Sequence, residues 1–186
     1  MTVTKLDPAS ALLIIDLQNG IVAGPKAHPV EQIVTNATKL AEAFRLHGLP
    51  VVIVNVKGRP PGRTERPAST AAQPDDWADL VPELNIQSTD ILITKHQWGA
   101  FHDTGLNERL KNLNITQIVL AGIATSMGVE STARAAYEHG YNVALATDAM
   151  TDFDQESHDN SIKNVFPKIG ECGTTAEIIS LLDKLN

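Results

Sequence analysis

The chain has 186 residues, about one domain's worth, with 42% hydrophobic and 20% charged residues, a balance that fits a soluble globular protein and argues against disorder. A net charge of −7 disfavours nucleic acid or an anionic membrane surface as a general partner. The single cysteine, Cys172, excludes an internal disulfide framework and a cysteine-built zinc site and suits a reducing cytoplasm.

The N-terminal Met-Thr-Val-Thr-Lys-Leu-Asp-Pro lacks the charged and apolar regions of a signal peptide, and no apolar run approaches the ~20 residues of a membrane span. The expectation is one cytoplasmic domain over 1–186. Five short apolar runs follow in order: 11–15, 51–54, 90–94, 118–121 and 143–146. Rich in Val and Ile, they predict strands buried on both faces, as in a parallel sheet. A short sixth strand is expected near 168–171. Helical spacing of Ile33, Ala37, Leu40, Ala41 and Phe44 predicts a helix that stops at His47-Gly48. Leu106, Leu110 and Leu113 mark a shorter helix, and Ala133, Ala136, Tyr137 and Gly140 continue one that starts near Ser126. The last helix opens on a capping box, Thr174 with Glu177, and buries Ile178, Leu181, Leu182 and Leu185. Strands alternating with helices predict a three-layer α/β/α, Rossmann-like domain with right-handed crossovers.

One long irregular stretch, 57–76, carries Lys57, Arg59, Arg63 and Arg66. Loops of that length in a compact domain are usually functional or mobile; the alternatives are a solvated loop or a subunit contact. Its start follows the carboxyl end of the second strand. Arg59, Arg63 and Arg66 are therefore candidates for folding over a pocket and binding a substrate carboxylate.

Ligands of open α/β sheets bind beyond the carboxyl ends of the strands. That rule selects Asp16, Lys95, the turn Gly122-Ile123-Ala124-Thr125-Ser126-Met127-Gly128, and Asp148. A carboxylate closing an apolar strand packs poorly unless paired, and Lys95 can pair with Asp16. A structural ion pair or a helix-capping Asp accounts for either residue alone. Both together, beside a glycine-containing strand-to-helix turn, favour an active site.

These residues carry a resemblance. Leu13-Ile14-Ile15-Asp16-Leu17-Gln18-Asn19 resembles the first motif of the isochorismatase-like hydrolases, also called the cysteine hydrolase superfamily. Thr94-Lys95, followed by Ala100-Phe101, Thr104 and Leu106, resembles that family's lysine motif. Gly122-Ile123-Ala124-Thr125 with Val129-Glu130-Ser131-Thr132-Ala133-Arg134 resembles its nucleophile turn and following helix. The likeness continues through Ala146-Thr147-Asp148-Ala149 to the 170–178 stretch. It implies a six-stranded parallel sheet, a catalytic Asp-Lys-Cys triad, a cis peptide between Ile123 and Ala124, and a dimer or tetramer.

The chain departs from that pattern at the nucleophile. The family's cysteine falls where this sequence has Gly128, which cannot form an acyl-enzyme. Cys172 lies some forty residues later and reads as a small buried thiol. Ser126 and Ser131 have no histidine in the turn to activate them. The family's isochorismatases lack the cysteine and cleave a vinyl ether, which needs an acid more than a nucleophile. An Asp held in a dry pocket is a suitable proton donor. The nicotinamidase branch places a metal-binding Asp-x-His after the second strand, where this chain reads Asn55-Val56-Lys57. His28, His96 and His102 do not form a ligand set by spacing, so no metal or cofactor is expected.

The expected activity is hydrolysis of a small organic, anionic substrate by Asp16 and Lys95, with the backbone at Ala124 and Gly128 orienting a substrate oxygen. Gln18, Trp98, Phe101 and Thr125 are the expected pocket residues, with core packing the alternative for Trp98 and Phe101. The competing reading is a non-catalytic binding or scaffold protein that lost the nucleophile.

Overall fold

The computed structural model describes residues 2–65 and 72–185. Six strands form one all-parallel sheet in the order β3-β2-β1-β4-β5-β6: β1 (Ser10–Ile15), β2 (Val51–Val56), β3 (Ile91–Lys95), β4 (Gln117–Ile123), β5 (Asn142–Thr151) and β6 (Glu171–Gly173). Strand order reverses between β1 and β4, whose register sets Ile15 opposite Gly122. Asp16 and the turn after β4 therefore leave the sheet side by side at its switch point, where open α/β sheets place ligands.

β1 and β4 are buried along their whole length because helices cover both faces. On one face lie α2 (Val30–Leu46) and α6 (Thr175–Leu182), packed through Ile33, Ala37, Leu40, Phe44, Ile178 and Leu182. On the other lie α3 (Leu106–Asn112) and α4 (Glu130–Glu138), packed through Leu106, Leu110, Ala133 and Ala136. Gly48 ends the longest helix in the left-handed region at φ +67°, as the His47-Gly48 stop predicts. Both halves of the Thr174–Glu177 capping box are present. A one-turn helix, α1 (Asn19–Val22), follows β1, and α5 (Gln155–Asn160) follows β5.

Four details differ from the sequence reading. β3 is an edge strand whose exposure alternates, leaving Leu92 53% exposed, so it is not buried on both faces. β5 runs on to Thr151, and Asp148 lies inside it; its Oδ1 accepts from the Thr175 amide and hydroxyl and anchors α6. β6 starts at Glu171 because Phe166–Lys168, with Pro167 at its centre, forms a 3₁₀ turn. The helix expected from Ser126 begins as a π-turn over Thr125–Val129, and Tyr137 and Leu113 face solvent.

Candidate active site

Asp16 is the first residue beyond β1 and takes a left-handed φ of +52°, uncommon for a residue with a side chain. Its amide donates to the Val54 carbonyl at 2.9 Å, tying it to the end of β2. From there its carboxylate meets Lys95, the last residue of β3, with Nζ 2.6 Å from Oδ2. Lys95 Nζ also donates to the Gln97 carbonyl at 3.1 Å. Both residues are almost fully buried. The second carboxylate oxygen, Oδ1, is buried without a hydrogen-bond partner. Burial pushes the Asp16 carboxyl up to about 6, against the opposing pull of the Lys95 ammonium.

The turn after β4 faces this pair. Gly122 takes φ +120°, and a Cβ there would meet the Ile15 carbonyl oxygen at 2.0 Å, so only glycine allows β4 to leave the sheet so close to β1. The Ile123–Ala124 peptide is cis. The Ala124 carbonyl accepts from the amides of Met127 and Val129, closing the π-turn. A Cβ at Gly128 would lie 3.2 Å from Asp16 Oδ2 and 3.0 Å from Ile15 Cγ2. A side chain at position 128 would thus point at the carboxylate.

A cavity of about 170 Å³ lies between the turn and the ion pair, with Asp16, Lys95, Ala124 and Gly128 on its wall. Trp98 and Arg59 also line it. Three expected pocket residues lie elsewhere. Gln18 is buried behind the wall, where Nε2 donates to the Val56 and Trp77 carbonyls and Oε1 accepts from the Val56 amide. Phe101 packs its ring against His139 and Tyr141. The buried Thr125 hydroxyl pairs with His158. Arg63 is exposed and does not line the cavity, and Arg66 lies outside the described residues.

Sequence reasoning missed other apolar residues of the wall, among them Ile21, Val56, Trp77 and Phe153. Trp77 packs flat on Gly20, where any Cβ would meet its ring at 2.0 Å. A glycine two residues after Gln18 was the available signal. Asp152 was also missed: it is 1% exposed at the end of β5 and accepts from the Ser126 amide at 2.6 Å. Cys172 is half-buried on β6, away from the cavity wall, and burial pushes its thiol up. Among the described residues, no group of three or more His, Cys, Asp or Glu is placed to hold a metal ion. No described helix is long and apolar enough to cross a membrane.

A parallel sheet with a buried carboxylate–ammonium pair at its switch point is the layout of a Rossmann-like α/β enzyme. Comparison with known proteins narrows this. Residues 10–177 match the isochorismatase domain. The chain is 43% identical over 180 residues to the uncharacterized isochorismatase family protein YwoC of Bacillus subtilis, covering 91% of this chain and 92% of that one. It is 39% identical over 184 residues to the uncharacterized isochorismatase family protein YecD of Escherichia coli O157:H7, covering 93% and 96%. The solved structure of an isochorismatase family protein from Burkholderia thailandensis superposes with a TM-score of 0.93 at 39% identity, covering 98% and 100%. The chain belongs to the isochorismatase family of hydrolases.

Proposed function

We propose that this hydrolase cleaves a small anionic organic substrate by acid–base chemistry at Asp16, without a covalent cysteine intermediate. The observation that carries the reading is the Asp16 carboxyl itself. It is buried, raised to about 6, held by Lys95 through Oδ2 and unpartnered at Oδ1, on the wall of the cavity that Gly128 also lines. A group titrating near neutrality both gives and takes a proton at working pH.

On an enol ether, Asp16 delivers its proton to the terminal carbon, and the ether oxygen shares the resulting positive charge. Water adds to that oxocarbenium carbon, and collapse of the hemiketal releases the alcohol and leaves a ketone. Lys95 steadies the carboxylate left behind. The backbone at Ala124 and Gly128 orients a substrate oxygen, Trp98 supplies an apolar wall, and Arg59 pairs with a substrate carboxylate. An ester or amide bond suits the same residues if Asp16 instead takes a proton from water. The working form is a cytoplasmic homodimer or homotetramer, which light scattering at micromolar concentration tests.

The substitution at Gly128 favours one competing reading, a binding protein that kept the pocket without turnover. A steady-state screen with isochorismate, and with simple amides as controls, separates the two. The hydrolase reading requires turnover that Asp16→Asn abolishes. Tight binding without turnover would overturn it.

A further inference from the structure

The turn that carries Ala124 and Gly128 is gripped from behind, away from the cavity. Thr125 Oγ1 lies 2.8 Å from His158 Nδ1, and both residues are buried. The next amide, Ser126 N, donates to Asp152 Oδ2 at 2.6 Å, while Asp152 Oδ1 accepts from the Phe153 amide at 2.7 Å. Neither His158 nor Asp152 lines the cavity. The grip continues outward. The His158 ring packs against His28 with centroids 4.6 Å apart, and His28 Nδ1 lies 3.0 Å from Thr151 Oγ1. The His28 backbone amide donates to the same Thr151 hydroxyl at 3.1 Å. From the other side, the Ser161 hydroxyl donates to Glu130 and docks the segment after α5 on α4.

We propose that His158 and Asp152 are positioning residues that set the Ala124–Gly128 backbone against Asp16, with His158 acting through the Thr125 hydroxyl. A buried hydroxyl and a buried imidazole have few alternative partners, so losing either group leaves the other unsatisfied and frees the turn to shift. Burial and the neighbouring His28 push the His158 pKa down, against the opposing pull of Asp159 and Asp152. The ring is therefore neutral at neutral pH, with Nδ1 available to a hydroxyl whichever tautomer is present. Any movement of the turn admits water to Asp16, whose raised pKa depends on exclusion from solvent.

This inference rests on the reading of the turn as the substrate-facing backbone, but its test needs no substrate. Its failure is therefore distinct from a failure of the acid–base reading, which turnover tests. Nuclear magnetic resonance would follow the amides of residues 124–128 and the titration of the Asp16 carboxyl carbon. Thr125→Val removes the hydroxyl at nearly constant shape, and His158→Leu removes the imidazole. Each should displace the turn amides and bring the Asp16 titration down from about 6 toward 3.8. Thr125→Ser and His158→Asn, which keep a polar atom in place, should preserve both signals. Combining Thr125→Val with His158→Leu should move them no further than either change alone. If His158→Leu fails to fold, the comparison of Thr125→Val with Thr125→Ser decides. A folded Thr125→Val protein with unmoved turn amides and an unmoved Asp16 titration would overturn the proposal.

Discussion

Lys95→Met should turn the Asp16 carboxyl into a pH-dependent liability that continues above neutrality. In the native chain the unfolded carboxyl ionises near 3.8 and the folded one near 6. Below about pH 4 both states hold the proton, and Asp16 contributes no pH dependence. Between about 4 and 6 the unfolded chain has lost its proton while the folded chain keeps it. Stability therefore falls as pH rises, by ~1.4 kcal/mol per unit. Over the interval that amounts to about 3 kcal/mol, after which the curve flattens because both states are ionised.

Methionine at position 95 removes the ammonium that opposes the effect of burial, so the folded carboxyl titrates higher still. The decline then continues past pH 6 at the same ~1.4 kcal/mol per unit. By about pH 8 the variant should have lost up to about 3 kcal/mol relative to wild type beyond any offset present at about pH 5. The lost hydrogen bond to the Gln97 carbonyl adds only a pH-independent offset. Urea unfolding at four pH values, followed by circular dichroism, gives the difference curve. A flat difference between about pH 5 and about pH 8 would refute both the burial of Asp16 and its coupling to Lys95.

Arg59 lines the cavity and Arg63 does not, so on an anionic substrate Arg59→Ala should weaken kcat/KM roughly tenfold or more, from ~1.5–3 kcal/mol of lost charge-assisted bonding. Arg63→Ala should leave it unchanged, and equal effects of the two would refute the assignment. Gly128→Cys should place a thiol in the turn at the head of α4, on the same cavity wall as the Lys95 ammonium; both lower a thiol's pKa, so iodoacetamide should alkylate it well below pH ~8.5, with Cys172 comparatively inert. Alkylation at the rate of a free thiol, unaffected by Asp16→Ala, would refute that orientation of the turn. The double variant Asp16→Asn with Lys95→Met should lack the acid-range slope and be at least as stable as wild type at about pH 8, because a neutral replacement for a buried ion pair is often stabilising by ~1–4 kcal/mol.

The parts of the fold legible in sequence were those in which one physical demand dominates. β1 and β4 are unbroken apolar runs because both faces are covered, and Asp16 stands out because a carboxylate closes such a run. The capping box at Thr174 is local chemistry and is present as read. What was not legible depends on contacts distant in sequence. The apolar run predicts an end at Ala146, but the pairing of β5 with β4 shifts between Leu120 and Gly122 and resumes through Met150 and Thr151. The shift carries the strand four residues past Thr147 and brings Asp152, rather than Asp148, to the turn. α5 reads Gln-Glu-Ser-His-Asp-Asn, with no apolar period, and only the Asp154 cap on the Ser157 amide signals its start. Trp77 reaches the cavity because its carbonyl accepts from Gln18 Nε2 and the Gly20 amide, a tertiary arrangement with no local pattern.

The ion pair also bears on whether the pocket is a relic. Closing β1 with a residue in a left-handed conformation, burying its carboxylate and leaving one oxygen unpartnered are each unfavourable for folding. The pH-linked part alone is about 3 kcal/mol, a sizeable share of the ~5–15 kcal/mol that typically holds a domain together. Neither the sheet nor its two helical layers needs it, since Asp16 lies beyond the last paired residue of β1, Ile15. Nor does a binding pocket for an anion need it, because a carboxylate on the wall repels such a ligand unless it is protonated. A proton donor, the role proposed above for Asp16, uses a carboxyl raised toward neutrality, an ammonium to hold its conjugate base, and a cavity that the carboxyl and Gly128 both line. On the proposed reading, glycine at 128 offers no covalent nucleophile, and the acid–base route uses groups that the chain retains.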